Sequence, residues 1–260
     1  MKPIRELPPI ALGEVFTGVD LWCFFYERFF DERLFNELAA LMSADEHARH
    51  QSIYFEADRR MYVATRALVR TVLSLYAGVE PCAWRFAEGA RGKPYVIEPA
   101  GLHGPSFNLS NTRGLVVCAV SRADVQLGVD AEWLGRRAEP TRIANRFFSP
   151  SEVRALCALP PSLQRERFFR YWTLKESYIK ARGLGLSIPL SEFSFSIADE
   201  APPRITFDEG LADDANRWHF AQVMASPEHM LAVGADTRSA PLAIRASNVI
   251  PLRGPIPWPG

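Results

Sequence analysis

The fold is decided by a stretch that the chain contains twice: Gly128-Val129-Asp130-Ala131-Glu132-Trp133 and, 110 residues earlier, Gly18-Val19-Asp20-Leu21-Trp22. Each copy reads as a short strand and precedes a helical region. The longest helix is predicted over Arg59 to Tyr76 in the first region and over Leu163 to Arg182 in the second, since apolar residues recur there every three or four positions. The repeated triplet and the repeated order of elements predict two similar α/β halves, duplicated and packed together.

Strand-like segments follow both long helices and set the predicted domain limits. They are Cys82 to Phe86, Tyr95 to Ile97, Ser106 to Val120, Glu192 to Ile197, Arg204 to Phe207, Trp218 to Met224 and Met230 to Val233. We therefore predict an N-terminal half over residues 1–125 and a C-terminal half over residues 126–235. Beyond Asp236 the chain is rich in proline and has few residues for packing, which predicts a tail over residues 236–260 that is mobile or lies over the surface.

Composition limits the classes of partner and compartment. The chain has 260 residues with 30 basic and 30 acidic side chains, so no net field favours nucleic acid or an anionic membrane. No apolar run is long enough to cross a bilayer, and the N-terminal residues lack the apolar core of a signal peptide. The four cysteines are widely separated without a Cys-x-x-Cys pair, so we expect reduced thiols, in or near the core, in a cytoplasmic protein.

The second long helix carries charged groups on an otherwise apolar pattern. Trp172, Glu176 and Lys180 are four residues apart, so they share one face of the helix, with Lys175 beside them. An aromatic ring, an acid and an amine on one stripe suggest a site for a metal ion and an anionic group. For this helix alone, an ordinary amphipathic surface with a stabilising Glu–Lys pair remains the alternative.

Asp130 and Glu132 supply further carboxylates. Alternation along a strand sends both to the same face, and Gly128 before them allows another segment to approach the backbone closely. Neighbouring carboxylates repel each other unless protons or cations neutralise them. Together with Glu176 they would offer three hard oxygen ligands of the kind that Mg²⁺ prefers, and the two lysines would flank a pyrophosphate. A solvated strand end is the alternative for the two strand residues on their own.

Shorter motifs surround these residues in a fixed order. They are Gly92-Lys93-Pro94, Phe107-Asn108-Leu109-Ser110, Arg146-Phe147-Phe148-Ser149 and Gly183-Leu184-Gly185-Leu186-Ser187-Ile188-Pro189-Leu190. Together with Gly128-Val129-Asp130-Ala131-Glu132 and Trp172-Thr173-Leu174-Lys175-Glu176-Ser177, this set resembles the Sfp-type 4′-phosphopantetheinyl transferases over roughly residues 43–235. The resemblance implies an α+β fold of two pseudo-symmetric α/β halves, each a small, largely antiparallel sheet packed with helices.

The same resemblance implies an activity and a set of site residues. The activity is transfer of the 4′-phosphopantetheine arm of coenzyme A to a serine of an apo acyl or peptidyl carrier protein, with release of 3′,5′-ADP. Mg²⁺ would be held by Asp130, Glu132 and Glu176, and coenzyme contacts would come from Arg60, Lys93, Ser110, Asn111, Lys175 and Lys180. Glu176, or a metal-bound water that it holds, is the candidate base, and Lys180 could protonate or screen the leaving ADP. Whether Glu176 is ligand, base or both stays open.

One residue departs from the family pattern. The family often has Ser-His-Ser where this chain has Ser110-Asn111-Thr112. The histidine typically contacts the 3′-phosphate of coenzyme A, whereas Asn111 can donate a hydrogen bond there but carries no charge. Either a nearby Arg113 or Arg60 compensates, or the 3′-phosphate is bound more weakly. A plain turn residue is the alternative interpretation of Asn111.

The implied protein partner is acidic, because carrier proteins as a class present a negatively charged helix near the modified serine. A basic docking face is expected from Arg136, Arg137, Arg142, Arg146, Arg154, Arg165, Arg167, Arg170 and Arg182, with scattered solvated arginines as the alternative. We expect a monomer with an internal pseudo-twofold axis, and no binding of nucleic acid or membrane. The competing function is a non-catalytic relative that binds coenzyme A or a carrier protein. An unrelated magnesium-nucleotide enzyme is disfavoured, since the chain lacks a Gly-x-x-x-x-Gly-Lys-Ser/Thr loop.

Overall fold

A computed structural model of the chain describes residues 1–14, 16–29, 31–101, 104–136, 139–198, 201–238 and 240–259. The chain divides into two compact units. The N-terminal half comprises Leu7–Asp124 together with Ala243–Gly260, and the C-terminal half comprises Val125–Leu242 together with Met1–Glu6. Each half therefore contains a segment from the opposite end of the chain.

The regular elements are numbered in chain order. The strands are β1 (Lys2–Pro3), β2 (Val19–Phe24), β3 (Arg85–Glu88), β4 (Pro94–Glu98), β5 (Ser106–Thr112), β6 (Leu115–Ser121), β7 (Leu127–Trp133), β8 (Phe193–Ser196), β9 (Arg204–Phe207), β10 (Trp218–Ser226), β11 (His229–Asp236), β12 (Ile244–Ile250) and β13 (Gly254–Ile256). The α-helices are α1 (Glu32–Ala39), α2 (Ala44–Ser52), α3 (Glu56–Ala77), α4 (Pro140–Phe147), α5 (Pro150–Cys157) and α6 (Pro161–Arg182).

Both halves repeat one order of elements. The N-terminal half runs β2, three helices, the β3–β4 hairpin and the β5–β6 hairpin, and the C-terminal half runs β7, three helices, β8–β9 and β10–β11. The first strand of each half pairs antiparallel with the last strand of the second hairpin, β2 with β6 and β7 with β11. The predicted α+β fold with two similar halves is therefore confirmed.

The two main sheets are mixed because each gains a parallel strand from a chain end. The sheet of the C-terminal half has the order β1-β10-β11-β7, with β1 parallel to β10. The sheet of the N-terminal half has the order β13-β12-β2-β6-β5, with β12 parallel to β2. Within each half, the remaining strand pairs of these sheets are antiparallel.

The structure differs from the predicted mobile tail. Residues 244–250 form β12, whose partners in β2 run from Val19 to Cys23, and Ala246 and Val249 are buried. Arg245 makes two hydrogen bonds of 2.8 and 3.0 Å to the carboxylate of Asp20 on β2. The prolines that predicted a tail lie before and after β12 rather than within it, so they leave its backbone free to pair.

The long helices α3 and α6 form where the apolar periodicity predicts them, and both end at a glycine. Gly78 and Gly183 each have φ of 65°, a left-handed conformation in which a side chain would clash with the backbone. Each helix packs into the apolar core of its own half. The backbone of α6 is thereby fixed against the sheet that contains Asp130 and Glu132.

Two findings bear on the environment of the protein. Among the residues that the structure describes, no helix combines the length and the apolar character needed to cross a membrane. All four cysteines are free thiols: Cys23 and Cys118 are buried, whereas Cys82 and Cys157 are exposed. The expectation of core or near-core thiols thus holds for only two of the four.

Candidate functional site

Two glycines allow helix α6 to pack closely against the sheet of the C-terminal half. Gly128 of β7 pairs with Gly234 of β11, and helix residues Ser177 and Ala181 lie against Gly128. A Cβ atom at Gly128 would come within 2.0 Å of the Ser177 carbonyl oxygen and 2.4 Å of the Ala181 nitrogen. The predicted close approach at Gly128 is therefore confirmed, and the approaching segment is α6.

This close packing brings the strand carboxylates to the helix. Asp130 and Glu132 follow Gly128 at alternate positions, so all three project to the side of β7 that α6 covers. Asp130 Oδ1 accepts a hydrogen bond of 2.8 Å from Lys180 Nζ, and the Asp130 side chain is 8% exposed. Farther along the strand, Glu132 accepts a hydrogen bond from the side chain of Trp172.

Two glutamates of this cluster have strongly perturbed acidity. Burial, and then the negative charge of Asp130, raises the pKa of Glu132 to about 7, against smaller opposing effects of Arg136, Trp172 and Lys180. Burial and the charge of Asp130 likewise raise the pKa of Glu176 to about 7, opposed by Lys180. Both glutamates are therefore coupled electrostatically to Asp130, and each holds its proton more strongly than an ordinary glutamate.

The donor set of this cluster suits a hard divalent cation. Carboxylate oxygens from β7 and α6 are the ligands that Mg²⁺ prefers, and a cation would offset the burial and the repulsion from Asp130 that raise the pKa of Glu132 and Glu176. As the side chains stand, the described residues include no group of three or more His, Cys, Asp or Glu arranged to hold a metal ion. Asp130 is engaged by Lys180, and Glu132 by Arg136 with 3.4 Å between Oε1 and Nη1.

Lys175 does not occupy the predicted position beside the carboxylates. Its side chain is completely buried, and its Nζ donates to the carbonyl oxygens of Leu190 and Phe193 at 2.7 and 2.6 Å. The same ammonium lies 2.8 Å from Glu152 Oε2, so its three donors are used within the core. The prediction that Lys175 contacts the coenzyme is wrong for this structure, because its neighbours leave no donor for a phosphate.

The buried Glu152 is a residue that the sequence reasoning missed. It caps α5 by accepting from the backbone N–H of Ser149 at 3.1 Å, accepts from the backbone of Phe195 at 2.9 Å, and pairs with Lys175. The signal was present in the sequence, since Ser149 and Glu152 have the spacing of a capping box at the start of α5.

The N-terminal half repeats this arrangement. Ser43 and Glu46 form the capping box of α2, and Glu46 pairs at 2.5 Å with the fully buried Arg70 of α3. Arg70 also donates to the carbonyl oxygens of Pro81 and Trp84 just before β3, as Lys175 does around the start of β8. Lys175 and Arg70 thus occupy corresponding places in the two halves, which identifies both as structural cations.

The last turn of α6 is anchored by Asp213. Its carboxylate accepts from the hydroxyl of Tyr178 at 2.7 Å, from Arg182, and from Arg217 Nε at 2.7 Å. These donors lower the pKa of Asp213 even though burial alone would raise it. Because Tyr178 and Arg182 bracket Lys180, this contact fixes the helix turn from which Lys180 reaches Asp130.

The remaining predicted coenzyme residues belong to the N-terminal half. Arg60 pairs with Glu56 at 2.6 Å and lines a cavity of about 360 Å³ with residues of α1, α2 and α3. Lys93 is partly buried, which lowers the pKa of its ammonium. Asn111 is exposed on β5 with its Nδ2 3.5 Å from Thr65 Oγ1 of α3, and Ser110 beside it is buried.

Known proteins are similar in sequence to this region. Residues 126–234 match a family model described as the 4′-phosphopantetheinyl transferase superfamily. The 4′-phosphopantetheinyl transferase HetI of Nostoc sp. is 38% identical over 67% of this chain and 73% of HetI. A 4′-phosphopantetheinyl transferase of Bacillus subtilis is 32% identical over 67% of this chain and 75% of that protein. For the transferase Sfp of Bacillus subtilis strain 168, the identity is 28% over 75% of this chain and 83% of Sfp.

These similarities agree with the repeated α+β halves and with the carboxylate cluster between β7 and α6. The matched region contains both signatures, from Gly128 to Glu132 and from Trp172 to Ser177. The chain therefore belongs to the Sfp-type 4′-phosphopantetheinyl transferases and is an enzyme of that class.

Proposed function

We propose that the enzyme transfers the 4′-phosphopantetheine arm of coenzyme A to a serine of an apo acyl or peptidyl carrier protein, with Mg²⁺, and releases 3′,5′-ADP. The supporting observation is the ion pair of Asp130 and Lys180 between β7 and α6, with Glu132 and Glu176 close enough to interact electrostatically with both. The cysteines are all unbridged, as is common in reducing compartments, and we propose the cytoplasm as the site of action.

The proposed reaction is a displacement at the β-phosphate of coenzyme A. The serine oxygen forms a bond to this phosphorus, the bond from phosphorus to the bridging oxygen breaks, and the electron pair leaves with 3′,5′-ADP. Glu176 takes the serine proton in this proposal, since its carboxylate interacts electrostatically with Asp130 and Lys180, the groups proposed to hold the metal and the leaving phosphate. Lys180 offers an ammonium to the leaving phosphate.

Asp130, Glu132 and Glu176 are the proposed metal ligands. Mg²⁺ held there would neutralise the negative charge that spreads over the pyrophosphate in the transition state. Trp172 and Asp213 support this site without touching the reacting atoms: Trp172 donates to Glu132, and Asp213 fixes the end of α6. Lys175 is left out of the coenzyme contacts because its donors are used in the core.

We propose that Arg60, Lys93, Ser110 and Asn111 bind the coenzyme from the N-terminal half. Arg60 is a candidate because it lines a cavity of about 360 Å³, where its guanidinium is at present paired with Glu56. Asn111 is exposed, so its amide can reach a phosphate, but a neutral donor gives a weaker bond than the histidine usual in the family. Arg113, 64% exposed and 3.7 Å from Glu27, is a candidate for supplying the missing charge.

Fewer arginines are available for the basic docking face than the sequence predicted. Arg170 is buried and bonded to Gln222, Arg165 donates to the carbonyl oxygens of Leu134 and Arg136, and Arg182 is held by Asp213. Arg137 lies outside the described residues. The exposed candidates include Arg142, Arg146 and Arg154, and we propose that they steer an acidic carrier protein toward α4 and α5.

Intact-mass spectrometry of carrier proteins tests the proposed function. The enzyme is incubated with coenzyme A, Mg²⁺ and apo carriers from fatty-acid, polyketide and nonribosomal peptide synthesis, and each carrier is weighed before and after. We expect the mass of one arm to be added, and no addition when the acceptor serine is replaced by alanine. No gain on any carrier would favour a binding protein without transferase activity.

Glu176→Gln tests the residue assignment within the same assay. Loss of a general base and of one metal ligand is expected to slow transfer by at least about 10²-fold. Glu166→Gln is the matched control, since Glu166 is an exposed glutamate on the same helix. Near-normal transfer by Glu176→Gln would show that the carboxylate site is assigned wrongly.

A further inference from the structure

Lys180 of α6 forms an ion pair with Asp130 of β7, which is one of the proposed metal ligands. Lys180 Nζ lies 2.8 Å from Asp130 Oδ1, and the Asp130 side chain is only 8% exposed. In this state a cation supplied by the chain itself offsets the carboxylate cluster.

The corresponding aspartate of the N-terminal half is neutralised in a different way. Asp20 is at the same place in its Gly-Val-Asp triplet, and its two oxygens accept from the guanidinium of Arg245 at 2.8 and 3.0 Å. The hydroxyl of Tyr76 adds a third donor at 2.6 Å. Arg245 is 8% exposed and Asp20 5% exposed, so this pair is a closed structural ion pair.

The ion pair of Lys180 with Asp130, by contrast, can open. The Lys180 side chain is 29% exposed, and a lysine ammonium forms a point contact on a flexible stem rather than a two-pronged fork. A partly exposed ammonium on a flexible stem can turn from Asp130 to another anion.

We propose that Lys180 is an exchangeable counter-ion of Asp130. When the coenzyme binds, Lys180 releases Asp130 and contacts the coenzyme pyrophosphate, so that a divalent cation and the coenzyme bind cooperatively. The inference rests on the proposed function for the identity of the anion. Without coenzyme, Lys180 competes with the divalent cation for Asp130, and the free enzyme binds the cation weakly. Once the pyrophosphate holds Lys180, Asp130 is available. By linkage, the cation must strengthen coenzyme binding by the same factor.

Binding of Mn²⁺ in the absence of coenzyme and carrier tests this competition directly. The free ion is measured by electron paramagnetic resonance, and folding is checked by circular dichroism. We expect Lys180→Gln to bind Mn²⁺ about tenfold to a hundredfold more tightly than the unaltered enzyme, the worth of one charge-assisted hydrogen bond. Lys180→Arg, which keeps the competing charge, should stay close to the unaltered enzyme.

Arg33→Gln is the control for loss of one positive charge, because the Arg33 side chain is 86% exposed and pairs with Glu37. It should change Mn²⁺ affinity far less than Lys180→Gln. Lys180→Met keeps the apolar stem and serves as a second variant if Lys180→Gln does not fold. Equal Mn²⁺ affinity in the unaltered enzyme and the folded neutral variant would overturn the inference. That result is independent of carrier modification by the unaltered enzyme, so failure of the proposed function would be recognised separately.

Discussion

Glu152 and Lys175 form an ion pair of 2.8 Å inside the C-terminal half, with side-chain exposures of 1% and 0%. The pair joins three elements, because Glu152 caps α5 and accepts from the backbone of Phe195 on β8 while Lys175 belongs to α6. Lys175 also lies 4.3 Å from the centre of the Phe193 ring. Lys175 thus stabilises the fold, and Lys180 is the lysine of α6 to which we assign the proposed contact with the coenzyme.

Lys175→Met should lower stability and leave coenzyme affinity of the folded fraction nearly unchanged. Removing one partner leaves the carboxylate of Glu152 buried without its cation, at a cost of about 3–5 kcal/mol. Urea unfolding gives the loss of stability, and the KM for coenzyme A gives affinity. The double variant Glu152→Gln/Lys175→Met should recover part of the loss. A large rise in KM with unchanged stability would restore Lys175 to the coenzyme site.

Gly128→Ala should displace α6 from the sheet. The added Cβ would meet the Ser177 carbonyl oxygen at 2.0 Å, a contact that only movement of the backbone can relieve. We expect a stability loss of about 1–3 kcal/mol and a fall in transfer activity, since Lys180 and Glu176 move with the helix. Gly104→Ala is the matched control, because a Cβ there meets nothing within 4 Å. If the two variants have equal stability and equal transfer activity, the close packing of α6 on Gly128 does not position the site.

The metal-free enzyme should lose stability as the pH rises from 5 to 8. Glu132 and Glu176 have pKa values of about 7 in the fold against 4.5 as the ordinary value, so the fold retains protons that the unfolded chain releases. The stabilisation of the protonated forms is complete below the unfolded pKa and disappears as the pH rises through 7.

Glu176→Gln removes one of these titrations. The free energy of unfolding of this variant should decline between pH 5 and pH 8 by about 1–3 kcal/mol less than that of the unaltered enzyme. Chemical unfolding in the presence of a chelator measures both profiles, and Glu166→Gln should run parallel to the unaltered enzyme. A stability that instead rises from pH 5 to pH 8 by the same amount would contradict the raised pKa values.

Arg245→Met should destabilise the N-terminal half. It removes two hydrogen bonds from the buried carboxylate of Asp20, at a cost of about 3–5 kcal/mol. Arg253→Met is the control within the same C-terminal segment, because Arg253 is 51% exposed and its pair with Glu37 should contribute less than about 1 kcal/mol. Thermal melting compares the two, and equal melting temperatures would show that β12 is held by its backbone pairing alone.

Much of the fold could be predicted from local patterns. Apolar periodicity predicted α3 and α6, and a glycine marked the C-terminal end of each helix. Alternation along β7 placed Asp130 and Glu132 on one face. The different fates of Lys175 and Lys180 could not be predicted in this way. They are five residues apart on one helix, and what separates them is Glu152, which reaches Lys175 through the packing of α5 on α6. Strand β12 was missed because its partner β2 lies more than two hundred residues away.

The pairing of β12 with β2 has a consequence for synthesis of the chain. Strand β2 leaves the ribosome more than two hundred residues before its parallel partner β12. Until residues 244–250 emerge, β2 presents an open edge of unpaired backbone groups, a surface prone to pairing with other chains. Residues 244–250 therefore cover an edge that β2 exposes while the intervening residues are made, and nascent chains stalled before them should be the species that require chaperones.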